Sequence, residues 1–485
     1  MSTVPQVVAL RRNDESFWPA LFLGAIGVGV ALALVERPVL FVYVAAATVL
    51  LALAFRYPIS LLIIFTLLVP LIPKLPLIPI GGYMVPIRTE DVFLAFALGV
   101  ITLRSLWDHH FRLPNPLTRG MLIFFGVQGL SLGFALCFLG TISEVDVAVL
   151  YWIRTLEYFS ASLLCLLAVR TWKQFRIVLA VFAASVFLVG VYGVLQELSL
   201  VPAFNAMHQT GEIVAVYFFH GFQSDRLLST FAGAYDLGAF YVIAVPILVA
   251  WLLSSRSSYT KAALGSIVGL SVFCLYLTFA RAPLFGLAAA LLITFWLLGR
   301  RRAAIILAYV LPYSAFLVPD FRQRLEGLIN NPAGFQNFGG RIAEGWHSAL
   351  EGFFRSPLLG TGPASLYYGM GVDSLYLLLL GSFGLVGFVA FVLLAYRVLR
   401  VELRLSDVPG DRLLRGLAAG LAGGTVGMLF IGITQEAFFS SKDAMVFWFL
   451  VGLLLAGASL ANGKAVTRNR PSMTPNSKFA CGATL

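Results

Sequence analysis

Charge is what this chain is short of. Asp, Glu, Lys and Arg make up only 12% of its 485 residues, against roughly 25% in a soluble domain, so a soluble globular fold is excluded. Cysteine is scarce too. Of the four, Cys137, Cys165 and Cys274 sit in apolar runs and Cys481 lies in the C-terminal tail. No CxxC or Cys/His spacing occurs, which argues against a disulfide framework or a metal cluster. A nucleophile elbow, a P-loop, a dinucleotide fingerprint and HExxH are all missing, and no DxD-type acidic pair lies on the outer side. His208, His220 and His347 have no metal-ligating partner at useful spacing. The 41 Phe and 45 Gly follow no short repeat, which excludes a fibrous chain.

What the chain has is apolar length. Hydrophobic residues are 59% of it, gathered in runs of the roughly 20 residues that cross a bilayer as a helix. The expected fold is an all-α polytopic integral membrane protein with about 12–14 transmembrane helices. Spans 1–11 fall within 17–318, and spans 12–14 within 373–461. The first follows Arg11 and Arg12 and reads as an uncleaved anchor. The third, near 59–73, meets Pro70, Pro73, Pro76 and Pro79, so it is expected to be short or partly re-entrant.

The net charge of +11 reads as loop anchoring rather than nucleic-acid binding, because the basic residues flank the spans. With residues 1–16 inside, the groups Arg170, Lys173 and Arg176, Arg300–Arg302, and Arg397, Arg400 and Arg404 all face the cytoplasm. Both termini, 1–16 and 462–485, are then cytoplasmic. Two segments remain outside: a moderate one at 199–225 and a long periplasmic loop at 319–372. Residues 341–356 of that loop form an amphipathic helix. Ile342, Trp346, Ala349, Leu350 and Phe353 share one face; Arg341, Glu344, Ser348, Glu351 and Arg355 share the other. Pro357 ends it, Gly360–Pro363 turns the chain, and the helix is expected to lie along the membrane surface.

Charges at membrane depth are functional-site hypotheses by default. Arg281 is the single charge within 262–299, a stretch that must cross twice. The turn there is almost without a loop, and a snorkelling anchor would not require one so tight. Arg226 closes the 199–225 loop, with Asp236 ten residues on. Arg154 and Glu157, at i and i+3, read as mutually neutralising. Asp373 opens the span after the long loop, either as a helix cap with Ser374 or as a base. Arginines converging at one leaflet suit a pyrophosphate, whose oxygens a guanidinium binds bidentately.

Three strings carry a resemblance. They are Arg226–Ala239 (RLLSTFAGAYDLGA), Leu277–Ala282 (LTFARA), and the long loop with its exit. The last comprises Arg341, Trp346, Ser356–Pro363, Asp373-Ser374 and Gly381–Gly387. In this order and topology, over about 140–461, the chain resembles the bacterial O-antigen ligase and polymerase superfamily. The resemblance implies a GT-C-like architecture and a metal-independent glycosyltransferase with no cofactor. It acts outside the inner membrane on undecaprenyl-pyrophosphate-linked glycan. The resemblance also implies that Arg226 and Arg281 hold the pyrophosphate, with Arg341 a looser match. Asp373 is the candidate base because it starts the helix that returns from the long loop; orienting the acceptor or holding Arg281 in place are its alternative roles. Ligase-like members often carry His-Asn where this chain has Asp373-Ser374, whereas polymerase-like members more often carry Asp-Asn. The departure tilts the expectation toward an O-antigen or exopolysaccharide polymerase, with a ligase acting on lipid A-core as alternative. Expected partners are the lipid-linked glycan, the bilayer, and chain-length regulator and flippase proteins, with no nucleic acid.

Two other classes compete. A lipid-linked glycan transporter would carry internal repeats and midplane ionisable groups, but no half-length repeat is present and the charges sit at one leaflet. A non-enzymatic envelope scaffold would leave Arg281 unexplained.

Overall fold

The computed structural model describes residues 54, 56–73, 76–78, 87–107, 116–206, 213–216, 226–315, 345–366, 372–408 and 411–468. The first two expected spans, near 17–35 and 38–55, lie almost wholly outside the described residues, as do Arg341 and both chain ends. The fold is nearly all helical. In chain order the helices are α1 Pro58–Leu71, α2 Thr89–Trp107, α3 Pro116–Phe134, α4 Val145–Ala168, α5 Trp172–Glu197, α6 Ala234–Ser254 and α7 Ser258–Leu277. Then come α8 Arg281–Leu297, α9 Arg301–Ala315, α10 His347–Arg355, α11 Leu375–Asp407, α12 Arg412–Ile431 and α13 Ser441–Arg468. Two small antiparallel hairpins join them: β1 Pro76–Ile78 with β2 Ile87–Arg88, and β3 Ala203–Ala206 with β4 Ile213–Val216.

Seven of the described helical stretches are long and apolar enough to cross a membrane: Leu117–Leu139, α5, α6, α7, α11, α12 and Ser441–Ala461. The chain is a multi-pass membrane protein. Helix α1, at 14 residues with Pro70 inside, is short, as its prolines predict. Helix α3 runs into a π-turn, Ala135–Leu139, closed by Gly140 in the left-handed region.

Helix α6 lies at the centre. It is apolar on every side and buried along nearly its whole length, the pattern of a helix enclosed by others. It packs on α7, α8 and α12. Small residues in α12 permit the closest approach: a Cβ at Gly420 would lie 2.5 Å from the Ile247 Cα of α6. Such small-residue contacts are how membrane helices gain packing without a hydrophobic driving force. At the other end of the bundle the caps are conventional. Thr171 and Gln174 form a capping box for α5, and Asp411 accepts from the Leu413 amide at 2.8 Å to start α12.

One apolar run departs from expectation. The span expected from residue 227 becomes helical only at Ala234. Residues 226–233 are instead a non-helical segment, buried from Leu227 to Phe231, with Ser229 at φ 52°. Composition reads this run as helix because it is apolar. Backbone groups at that depth need internal partners, and here neighbouring helices supply them through the Leu277 carbonyl and the Gln196 and Lys442 side chains.

Helix α11 is also interrupted. At Gly384 the backbone takes φ 64° and ψ −167°, open to glycine at little cost. The 357–362 stretch after α10 lies against this break. Leu385 and Val386 donate amide bonds to the Pro357 and Leu358 carbonyls at 2.8 and 3.1 Å. Thr361 and Gly362 donate back to the Gly381 and Ser382 carbonyls, both at 2.9 Å. Ser131 of α3 adds hydroxyl bonds to the Leu359 and Ser382 carbonyls. The turn expected at Gly360–Pro363 is buried, inserted into the bundle.

Candidate active site

The segment carrying Arg226 is held from four sides. The Leu227 amide donates to the Leu277 carbonyl at the end of α7 over 3.0 Å. The Gln196 side-chain oxygen of α5 accepts from the Ser229 amide at 2.6 Å, and the Ser229 hydroxyl donates to the Val189 carbonyl at 2.7 Å. Thr230 donates its hydroxyl to the Pro70 carbonyl of α1 at 2.6 Å, and its own carbonyl accepts from Lys442 Nζ at 2.8 Å. Arg226, half-buried, lies 5.5 Å from the centre of the Tyr235 ring.

Arg281 begins α8 directly after a three-residue turn, Thr278–Ala280, in which Phe279 has φ 50°. The nearly loopless hairpin inferred from its single charge is therefore present. The two helices diverge from it: α7 packs on α5 and α6, whereas α8 packs on α6, α9 and α12. Two contacts tie the segment that carries Arg226 to the hairpin that carries Arg281. One is the Leu227–Leu277 bond, which ties the first arginine's segment to the turn of the second. The other is Gly238 of α6 against Pro283 of α8, where an added Cβ would lie 2.5 Å from the Pro283 ring. Asp236, two residues before Gly238, accepts from the Ser440 hydroxyl at 2.9 Å.

Asp373 reaches the same end. The Leu375 amide donates to the Gly432 carbonyl just after α12 at 2.9 Å, and the Tyr376 hydroxyl donates to the Leu429 carbonyl at 2.7 Å. Ile431, beside Gly432, packs on Gly286 of α8. As for a cap role, the residue at the N-cap position of α11 is Ser374, and its side chain makes no capping bond. Asp373 stands one residue earlier, half-buried. Arg341 lies outside the described residues.

The amphipathic helix is described as α10, preceded by a π-turn at 345–346; 341–344 lie outside the described residues. Its small side, Ala349 and Gly352, packs on Gly381 of α11. Leu350 and Phe354 remain exposed, so the apolar face is divided between protein and surroundings. His347 bonds Glu351 one turn on, at 3.0 Å.

Sequence reasoning missed a buried charge cluster at this end. Lys442 and Asp443 are both 0% exposed at the start of α13. The Lys442 ammonium stands 4.8 Å from the Phe231 ring. Glu90, 1% exposed in the first turn of α2, lies in the fields of Arg88 and Lys442. The Arg154–Glu157 pair expected to neutralise itself belongs to a larger set. Asp91, Arg154 and Arg88 all contribute to the electrostatic surroundings of Glu157. Arg88 also bonds the Ser441 hydroxyl. The available signal was Lys442-Asp443 at the mouth of an apolar run, together with Glu90-Asp91 at another; both read equally well as interface charges.

Residues 266–392 match the family described as O-antigen ligase (Wzy_C), in agreement with the resemblance drawn from the three strings. That stretch contains Arg281, α10, the 357–362 insertion, Asp373 and the α11 break, and leaves Arg226 outside. No curated protein matches the chain. The match supports a glycan-transferring membrane enzyme of the O-antigen ligase/polymerase type.

Proposed function

We propose that the chain is a metal-independent glycosyltransferase that uses a polyprenyl-pyrophosphate-linked glycan at the extracytoplasmic face of a bacterial inner membrane. The observation that carries this reading is the backbone tie between the Arg226 segment and the Arg281 turn. Two guanidinium groups on rigid supports at one end of a bundle suit a pyrophosphate leaving group, whose charge grows as the glycosyl bond breaks. Arginine charge takes the place of a divalent cation. Asp373 stands at the start of α11 as the group that accepts the acceptor hydroxyl's proton. Arg341 is retained as a further donor ligand on the resemblance alone. The domain boundaries, both termini in the cytoplasm and 319–372 outside, belong to the same proposal, as do chain-length regulator and flippase partners.

Polymerisation of lipid-linked repeat units is the preferred reaction, because Asp373-Ser374 stands where ligase-like members carry His-Asn. The ligase reading is favoured by the description of the matched family. The surface glycan of a deletion strain separates them. Loss of long chains with single repeats retained on the acceptor supports polymerase. Glycan accumulating on the lipid carrier supports ligase, and an unchanged glycan overturns both.

A further inference from the structure

A lysine at 0% exposure inside a membrane span is costly, about 2.5–3.5 kcal/mol on insertion scales, so its contacts deserve an explanation. Lys442 does not point at an open surface. Its ammonium donates to the Thr230 carbonyl at 2.8 Å and lies over the Phe231 ring. Both residues belong to the non-helical segment that begins with Arg226. That segment has Ser229 in the left-handed region, which a non-glycine residue enters at a cost. It keeps this shape through bonds to α1, α5, α7 and α13. A buried carbonyl without a donor costs about 1–3 kcal/mol. Here the helix geometry that would otherwise satisfy Thr230 is absent, and Lys442 supplies the donor. The ammonium therefore joins α13 to the Arg226 segment.

We propose that Lys442 is a positioning residue, acting on the pyrophosphate-binding site by fixing the Arg226 segment through the Thr230 carbonyl and the Phe231 ring. The proposal rests on the reading of Arg226 as a ligand of the lipid pyrophosphate. Lys442 itself, enclosed behind the segment, touches no substrate.

The test measures binding of undecaprenyl pyrophosphate to the purified full-length protein in detergent, with thermal unfolding recorded for each variant. The variants are Lys442→Met, Lys442→Arg, Arg226→Ala and the double variant Lys442→Met/Arg226→Ala. The expected result is an affinity loss of about tenfold or more for K442M, substantial rescue by K442R, and less than about twofold further loss when K442M is added to R226A. That non-additivity marks residues acting through one another; a merely structural role would move the unfolding temperature and leave the two losses additive. If K442M does not accumulate, Lys442→Gln replaces it, since it removes the charge but keeps a donor, and a smaller loss is expected. Wild-type affinity in K442M, or in K442Q where it stands in, overturns the proposal while R226A still binds weakly. Additive losses overturn it also. If R226A binds normally, the donor role of Arg226 falls first, and the proposal with it.

Discussion

The amide of Leu227 and the carbonyl of Leu277, 3.0 Å apart, fasten together two parts of the chain that are 50 residues distant and each carry an arginine. The chain leaves helical geometry close to the joint on both sides, with Ser229 and Phe279, each two residues on, at positive φ. Strained backbone of this kind persists where the surroundings over-determine it, and it clusters at functional sites. The same end of the bundle receives the starts of α2, α4, α6, α8, α11 and α13, and with them most of the charge found at membrane depth.

Replacing either arginine is expected to abolish transfer. Arg281→Ala and Arg226→Ala should each lower turnover by about 10²–10³-fold, the effect of removing one preorganised donor to a developing charge, with protein levels in the membrane near normal. Arg281→Lys should fail largely too, because a point charge does not reproduce the planar fork. Turnover is followed as release of undecaprenyl pyrophosphate from the lipid-linked glycan. A fully active Arg281→Lys protein would reduce Arg281 to an interfacial anchor.

The helices were legible in the sequence, and the joints were not. Each apolar run from the third onward returns as a helix, because about 20 apolar residues in lipid have few other ways to satisfy their backbone. Arg281 was legible for the same reason, as one charge at the midpoint of an otherwise uncharged double crossing. The run 227–233 was misread, since its apolar composition hides that Gln196, Val189, Pro70 and Lys442 satisfy it from distant parts of the chain. The pairing of 357–362 with the α11 break likewise depends on register between segments about 25 residues apart. Lys442 and Asp443 stand at the mouth of an apolar run, where a charge is ordinary, and only the packing of α13 shows them to be enclosed.

Orientation has a direct check. In a background with the native cysteines replaced, needed because Cys137 is exposed, Ser348→Cys on the exposed side of α10 should react with a membrane-impermeant maleimide in intact spheroplasts. Arg256→Cys, between α6 and α7, should react only after permeabilisation. The opposite pattern would place the arginines in the cytoplasm and remove the proposed donor from their reach.

The α11 break makes a stability prediction. At Gly384 the φ of 64° costs an L-residue about 1–2 kcal/mol, and an added Cβ would also collide with the Leu358 backbone. Gly384→Ala should therefore lower the unfolding temperature in detergent and the yield of monodisperse protein. Gly99→Ala is the control. Gly99 lies in α2 with no heavy atom within 4 Å of its added Cβ, and alanine is the better helix former. Equal stability of the two variants would show that the 357–362 insertion does not press on the break.

The role of Asp373 is decided by separating binding from turnover. Attack on the glycosyl carbon requires the acceptor hydroxyl to lose a proton, and a base within hydrogen-bond reach contributes about 10²–10⁴-fold. The Leu375–Gly432 bond and the contact of Ile431 with Gly286 tie the start of α11, which Asp373 precedes, to α12 and through it to α8, which Arg281 begins. Ser374, and not Asp373, occupies the N-cap position of α11, so the simplest structural explanation for the carboxylate is weakened. Asp373→Asn preserves size and hydrogen bonding while removing both the charge and the capacity to accept the proton. With Asp373 as base, turnover falls by about 10²-fold or more, and undecaprenyl pyrophosphate still binds as to the wild type. A loss confined to binding would instead make Asp373 an orienting partner of the donor site. Normal turnover in D373N would exclude it from the reaction.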